Sequence, residues 1–320
     1  MDRLNKFLAH AGVGSRRHCD ALIAAGRVKI NDVVIHELGT RVDPEKHRVF
    51  VDDAQVKAEK PVYWAVHKPV GYLCTNHDPA RRPLAIDLIP HVEQRVYTVG
   101  RLDEASEGLL LMTNDGSLAF TLMHPKFEIE KTYVVQVAGK PTQNDLQKLL
   151  DGVWIAEGKV SAKSVKRMKT QGESTLLRIV LAEGKNREIR RMLAKLDHKV
   201  LKLKRIAIGT IELDKLPRGK SRRLTEAEIK VLKNLVGKSE TKLKQFKEQV
   251  AAPRRDVPAA RKPFRSGGAS ALGLHAETPA RARQITKFSA HNWAPARHSR
   301  NSVEIHFTKV FYVLIPRRAT

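Results

Sequence analysis

The residues whose types could do chemistry gather around Gly100-Arg101-Leu102-Asp103. A guanidinium and a carboxylate sit two residues apart, behind a glycine and ahead of the acidic, polar loop Glu104-Ala105-Ser106-Glu107. Such a carboxylate can attack an electrophilic carbon or take a proton, and Arg101 beside it favours the ionised form. Gly108-Leu109-Leu110-Leu111-Met112 then reads as a buried strand, an unbroken apolar run closed by the turn signal Asn114-Asp115-Gly116. Asp103 is therefore expected on a loop that feeds a rigid core element, where a scaffold places a reactive group. A turn aspartate that pairs with Arg101 to cap the strand fits the same four residues.

Two further stretches carry functional side chains. Residues 130–137 alternate as a strand does, with Lys131 and Tyr133 on it. A tyrosine there is by default a core residue, although its flat amphipathic ring also suits stacking on a nucleobase. The run Glu183-Gly184-Lys185-Asn186-Arg187-Glu188-Ile189-Arg190-Arg191-Met192-Leu193 predicts a helix with Ile189, Met192, Leu193 and Leu196 on one face. Arg187, Arg190, Arg191 and Lys195 crowd the rest of its surface, and their repulsion calls for a nearby anion.

The elements that must position these groups are legible in order. Leu4, Phe7, Leu8 and Ala11 have helical spacing up to Gly12. Ser15 is a good N-cap for a second helix through Ala25, with Cys19, Leu22 and Ile23 inward. Val28-Lys29-Ile30 and Val33-Val34-Ile35 form a hairpin around Asn31-Asp32. Arg16, Arg17, Arg27 and Lys29 make this region basic, and residues 52–60 read as a linker. After a strand over 62–66, His67-Lys68-Pro69-Val70-Gly71-Tyr72 is a turn signal that shapes backbone. His67 is expected there as a hydrogen-bonded structural residue. A helix over 118–123 ends at His124-Pro125, Thr142 caps another that ends at Gly152, and strands alternate with Lys-rich turns to Leu181. One or two strands follow over 199–213. Thr225 and Glu228 then form a capping box for a last helix expected to stop at Gly237, with residues 238–249 able to form a solvated helix.

Taken together, these motifs resemble the pseudouridine synthase family that modifies ribosomal RNA and carries an N-terminal S4 domain. Gly100-Arg101-Leu102-Asp103 matches its aspartate motif, Lys131 and Tyr133 its second motif, and 183–193 its third. Lys68-Pro69 and Gly71 match the start of its catalytic domain, with His67 where asparagine is usual. Residues 2–50 match the S4 RNA-binding module through Arg3-Leu4-Asn5-Lys6-Phe7-Leu8 and Gly26-Arg27-Val28-Lys29-Ile30-Asn31.

The resemblance implies an α+β chain: an S4 domain and linker (1–60), a catalytic domain on a mixed, largely antiparallel sheet with flanking helices (61–237), and a basic, mostly disordered extension (238–320). It implies Asp103 as the catalytic residue and Tyr133 stacked on the flipped base. Lys185 is implied as the partner of the carboxylate, and Ile189 as packing under the nucleotide. Arg101 would hold the vacated place in the stack, and Arg187 and Arg190 would reach phosphate, as would Arg16, Arg17, Arg27 and Lys29 of the S4 face. The implied reaction, uridine to pseudouridine in large-subunit ribosomal RNA, needs no redox change and no cofactor. A small-subunit target, or a non-enzymatic RNA-binding assembly factor, is the alternative. A retaining glycosidase would need a second carboxylate about 5 Å from the first, and Glu104 and Glu107 have no reason to face the same atom.

Composition agrees. The 320 residues carry a formal charge of +25, which predicts a polyanionic partner, and nucleic acid is favoured over an anionic membrane surface. No long apolar run or basic amphipathic helix with aromatic anchors stands out. Two cysteines without paired spacing, and a polar start at Met1-Asp2-Arg3, point to a cytoplasmic protein without disulfides. The thirteen histidines lack ligand spacing, so no metal is expected, and nothing demands more than a monomer. Residues 252–285 are rich in Pro, Ala, Arg, Gly and Ser and read as disordered, whereas 302–315 form an isolated strand-like run.

Overall fold

The computed structural model describes residues 1–251, with side chains through Gly237 and at Thr241. The stretch 252–285 and the strand-like run 302–315 lie outside the described residues.

Near the N-terminus, α1 (Leu4–His10) and α2 (Arg16–Ala24) bury Leu4, Phe7, Leu8, Cys19, Leu22 and Ile23 against Val28 and Val49. The Ser15 hydroxyl accepts the His18 N–H at 3.1 Å and starts α2, as a cap should. The sheet beneath has four strands, β1 (Val28–Ile30), β2 (Val33–Ile35), β3 (Val49–Val51) and β4 (Ala54–Val56), in the order β2-β1-β3-β4. The expected linker over 52–60 is corrected here. Asp52 and Asp53 both adopt positive φ (49° and 65°) and turn a second hairpin, so Ala54–Val56 is sheet. Two adjacent left-handed residues match the twist of a hairpin, and aspartate tolerates that conformation. Glu59 closes the junction: its N–H donates to His10 O at 3.3 Å, and its carboxylate accepts from Asn114 Nδ2 at 3.1 Å.

The second sheet runs in the order β8-β9-β7-β10-β6-β5-β11. In chain order these are β5 (Tyr63–Lys68), β6 (Glu107–Thr113), β7 (Lys131–Ala138), β8 (Ser164–Gln171), β9 (Ser174–Leu181), β10 (Val200–Ile208) and β11 (Ser221–Arg223). Every pairing along this path is antiparallel except β10 with β6. The apolar run at 109–112 is buried on both faces, as β6 requires. Helices α3 (Gly116–Met123) and α6 (Glu226–Ala251) cover one side of β5 and β6. On the other half of the sheet, α4 (Gln143–Asp151) and α5 (Glu188–Ala194) pack against the inward residues of β7 and β9. Ile189, Met192, Leu193 and Leu196 all turn to that core, as their spacing predicted.

The parallel β6–β10 pair depends on one glycine. At Gly108, with φ +118°, a Cβ would lie 2.2 Å from Arg205 O. Only a residue without a side chain lets the two backbones meet there. The meeting brings the 100–107 loop over β10 and beside α5.

The last helix does not stop at Gly237. It continues to Ala251, with Thr241 Oγ1 donating to Gly237 O at 2.9 Å. One glycine costs a helix only about 1 kcal/mol, and the Lys-, Glu- and Gln-rich residues that follow are good helix formers. No helix among the described residues is long and apolar enough to cross a membrane.

The start of α6 supplies a pH-dependent element. Thr225 N donates to Glu228 Oε2 at 2.8 Å, and Arg222 donates to both Glu228 oxygens at 2.8 and 2.7 Å. Chiefly through the Arg222 hydrogen bonds, the Glu228 carboxyl falls from 4.5 to about 2. A depressed folded value means stability that is present above the unfolded value and lost as pH falls toward the folded one. Glu228→Ala should cost about 1 kcal/mol at pH 7, as for loss of a helix cap. Urea midpoints of mutant and wild type should converge between pH 4.5 and 2.

Candidate active site

A cavity of about 520 Å³ opens where the 99–106 segment, β7, β10 and the 184–189 segment meet. It gathers Arg101, Asp103, Tyr133, Lys185 and Ile189 from three distant parts of the chain, together with Arg187. Tyr133 and Ile189 share a buried cluster with Leu102, directly behind Asp103 in sequence. The Tyr133 hydroxyl makes no hydrogen bond among the described residues.

The loop carrying Asp103 is clamped by three donors from two other segments, 68–71 and α5. Glu104 O accepts the Gly71 N–H at 2.9 Å, Ala105 O accepts Arg190 Nη2 at 2.9 Å, and Ser106 O accepts Lys68 Nζ at 2.9 Å. Within the loop, Ser106 N–H returns to Asp103 O at 3.0 Å. Lys68 is fully buried and also donates to Pro69 O at 2.7 Å. Burial lowers its pKa, opposed by the charges of Glu104, Asp103 and Glu107, and the two carbonyls accept its hydrogen bonds. The Lys68-Pro69-Val70-Gly71 segment thus shapes backbone at the loop, as its turn chemistry suggested. His67 is buried with Nδ1 2.8 Å from Leu216 O, and burial lowers its pKa toward the neutral ring.

Asp103 has 28% of its side chain exposed, facing Arg187 Nη1 at 3.7 Å and Arg190 Nε at 4.0 Å. The expected pairing with Lys185 is corrected: Lys185 Nζ lies 3.0 Å from Glu183. Arg101 is exposed and has no ion pair or hydrogen bond among the described residues, so it does not cap Asp103 either. Arg190, expected at a phosphate, is 13% exposed and spends its donors on Ala105 O, Ser106 Oγ and Val200 O. Its Nε is buried without a hydrogen-bond partner, close enough to tighten onto Asp103. Arg187, half exposed, remains open to an outside anion.

Three ionisable groups behind the cavity were given no individual role by the sequence, although Lys131 and Glu188 fall within its second and third motifs. Lys131 and Arg205 are buried in the wall, and Arg205 Nε donates to Leu109 O at 2.7 Å. Strand alternation contained the signal: Leu203, Arg205 and Ala207 share the inward parity of β10. Glu188 is buried, accepts the Lys185 N–H at 2.8 Å through Oε2, and leaves Oε1 without a partner. Burial raises its pKa. Desolvation, helped by Arg205, brings Lys131 down to about 8. The second glycosidase carboxylate is not supplied by Glu107, which Arg218 holds at 3.0 Å.

On the N-terminal module, Arg16 and Arg17 are exposed at the start of α2, with Arg16 Nη2 3.4 Å from Asn5 Oδ1. Arg27 and Lys29 are engaged by the turn that the linker reading missed. Arg27 Nε donates to Asp52 at 2.8 Å, and Lys29 Nζ to Asp53 at 2.6 Å. Exposed pairs of this kind are worth little and exchange readily with a competing anion.

Residues 2–47 match the S4 domain family, and 62–195 match the family described as RNA pseudouridylate synthase. A Bacillus subtilis protein named ribosomal large subunit pseudouridine synthase B is 40% identical over 237 residues, covering 73% of this chain and 97% of that protein. An Aquifex aeolicus protein named as an uncharacterized RNA pseudouridine synthase is 41% identical over 236 residues, covering 73% and 95%. A crystal structure of a pseudouridylate synthase superposes with a TM-score of 0.52 at 28% identity, covering 72% of this chain and all of that one.

The clamp and the buried wall give two tests. Lys68→Met orphans the Ser106 and Pro69 carbonyls and should destabilise by about 1–3 kcal/mol, with faster amide exchange across 103–106 by mass spectrometry. For Lys131, the folded value of about 8 lies below the ordinary 10.5, so the unfolded chain binds more protons between them. Wild-type stability relative to Lys131→Met should therefore rise as pH goes from 8 to 10.5, read from urea midpoints.

Proposed function

The chain belongs to the RNA pseudouridylate synthase family, and from that premise we propose that it converts a uridine of large-subunit ribosomal RNA to pseudouridine with Asp103 as the catalytic carboxylate. The observation that carries the reading is a partly exposed carboxylate, held between Arg187 and Arg190, at the mouth of a cavity backed by Tyr133 and Ile189. The volume of about 520 Å³ suits one flipped nucleotide.

The reaction breaks the N1–C1′ bond, turns the uracil within the site, and joins C5 to C1′. The C5 proton leaves and N1 ends protonated. Asp103 acts either by attacking C1′ or by taking a sugar proton on the way to a glycal; the geometry serves both. Arg187 and Arg190 stabilise the carboxylate before reaction and the charge that redistributes during it. Tyr133 and Ile189 hold the base while it is detached, and their rigidity keeps the turned ring within reach of C1′. Arg101, exposed and unpartnered at the rim, fills the gap the flipped base leaves. Arg187 meets phosphate at the cavity mouth, while Lys185 is held by Glu183. Arg190 instead fixes the loop.

The S4 module supplies RNA affinity through Arg16 and Arg17, with Arg27 and Lys29 joining when phosphate displaces Asp52 and Asp53. Such contacts position without reading sequence. The large-subunit target follows the name of the Bacillus subtilis relative, which this chain covers almost completely. It implies a substrate within an assembling large subunit, in the cytoplasm. The reading takes the chain as a monomer. The 61–237 catalytic segment and the basic extension beyond it remain our division of the chain.

Carbodiimide labelling and reverse-transcription stops on ribosomal RNA test this. Deleting the gene should erase one stop in the large-subunit RNA. Asp103→Asn should fail to restore it, with activity down by at least about 10³-fold. An unchanged map, with Asp103→Asn still complementing growth, would leave an RNA-binding assembly factor.

A further inference from the structure

The face of the second sheet opposite the cavity carries its own charge pattern. On β7, Lys131, Tyr133, Val135 and Val137 turn to the buried side, so Thr132, Val134 and Gln136 form the other face, and all three are part-exposed although β7 is a central strand. Register places two rows across this face. One runs Lys166, Arg178, Val134, Lys204 across β8, β9, β7 and β10. The next runs Lys169, Leu176, Gln136, Lys202.

Five cations thus share the two rows, with no acid among them. Lys166 lies directly opposite Arg178, a like-charge pair that destabilises a sheet. A register shift between Arg167 and Lys169 returns Lys169, in place of Met168, to the face of Lys166. Lys166, Lys169, Arg178 and Lys202 are exposed, Lys204 is part-exposed, and none of the five has a hydrogen bond or ion pair among the described residues. The neighbouring acid, Glu107, is already held by Arg218.

We propose that this open sheet face is a second RNA-docking surface, which takes the phosphate backbone of a double-helical segment of the substrate RNA away from the reacting nucleotide. The proposal rests on the reading of the chain as an RNA enzyme and extends it to the other side of the sheet. The patch spans three strand spacings by two residues, about 14 by 7 Å. Val134, Leu176 and Gln136 lie between the cations, with no aromatic ring in either row. A surface without stacking platforms does not hold unpaired bases. A-form duplexes, by contrast, are recognised through backbone and shape.

The full chain would be compared with a variant carrying Lys166→Gln, Lys169→Gln, Arg178→Gln and Lys202→Gln, all at exposed positions. Two labelled probes, a 20-base-pair RNA duplex without the target sequence and a single-stranded oligoadenylate of equal length, would be titrated by fluorescence anisotropy over a salt series. The expected result is a loss of duplex affinity of at least ~10-fold near 0.1 M salt, with the log–log salt slope shallower by about 3, and single-strand affinity unchanged within about twofold. Unchanged duplex affinity overturns the proposal, as does an equal loss for both probes, which reports net charge alone. Pseudouridine formation on ribosomal RNA is measured alongside. Its absence in both proteins, with duplex binding still sensitive to the variant, would sink the enzyme reading and leave the surface standing.

Discussion

Three consecutive carbonyls, those of Glu104, Ala105 and Ser106, take their hydrogen bonds from Gly71, Arg190 and Lys68, which lie on two segments far apart in the chain, 68–71 and α5. A loop of this length would ordinarily leave such groups to water. Here each carbonyl is a fixed point, so the position of Asp103 is set by the packing of the whole domain. The same clamp explains two costly residues. A fully buried lysine and a mostly buried arginine are unfavourable unless their donors are satisfied, and the Ser106 and Ala105 carbonyls each take one of those donors. Gly108 completes the arrangement by letting β6 approach the backbone of β10.

That architecture divides the cations into those spent on structure and those left for a partner. Lys68, Arg190 and Arg205 bind carbonyls, Lys185 binds Glu183, and Arg27 and Lys29 bind the Asp52-Asp53 turn. Arg16, Arg17, Arg101 and the basic sheet face stay open. A net charge of +25 therefore overstates what any single RNA contact can use. The buried wall of Lys131 and Arg205 works at shorter range, where low dielectric makes each charge count for more.

Local elements were largely legible. The Ser15 cap, the 28–35 hairpin, the Thr225–Glu228 capping box and the core face of α5 all follow from short-range rules that need only a few neighbours. Misreadings came where a local signal had two outcomes. Asp52-Asp53 looked like polar linker but is a hairpin turn, because aspartate tolerates left-handed backbone. Gly237 looked like a stop, yet the residues after it favour helix strongly enough to continue.

The sequence by itself carried the resemblance to the family and the order of its motifs, and through that resemblance the expectation that Asp103, Tyr133 and Ile189 share one cavity, as they do. These depend on residue type and spacing, which are written in one dimension. Only the tertiary structure decided which cation meets which acid. Lys185, Arg187 and Arg190 are near neighbours in the chain, and their distances to Asp103 depend on how β6, β10 and α5 cross. Lys185 turned to Glu183, and Arg187 and Arg190 took the place expected for it. Ion pairing falls off over a few ångströms, whereas sequence spacing across a fold carries no such resolution.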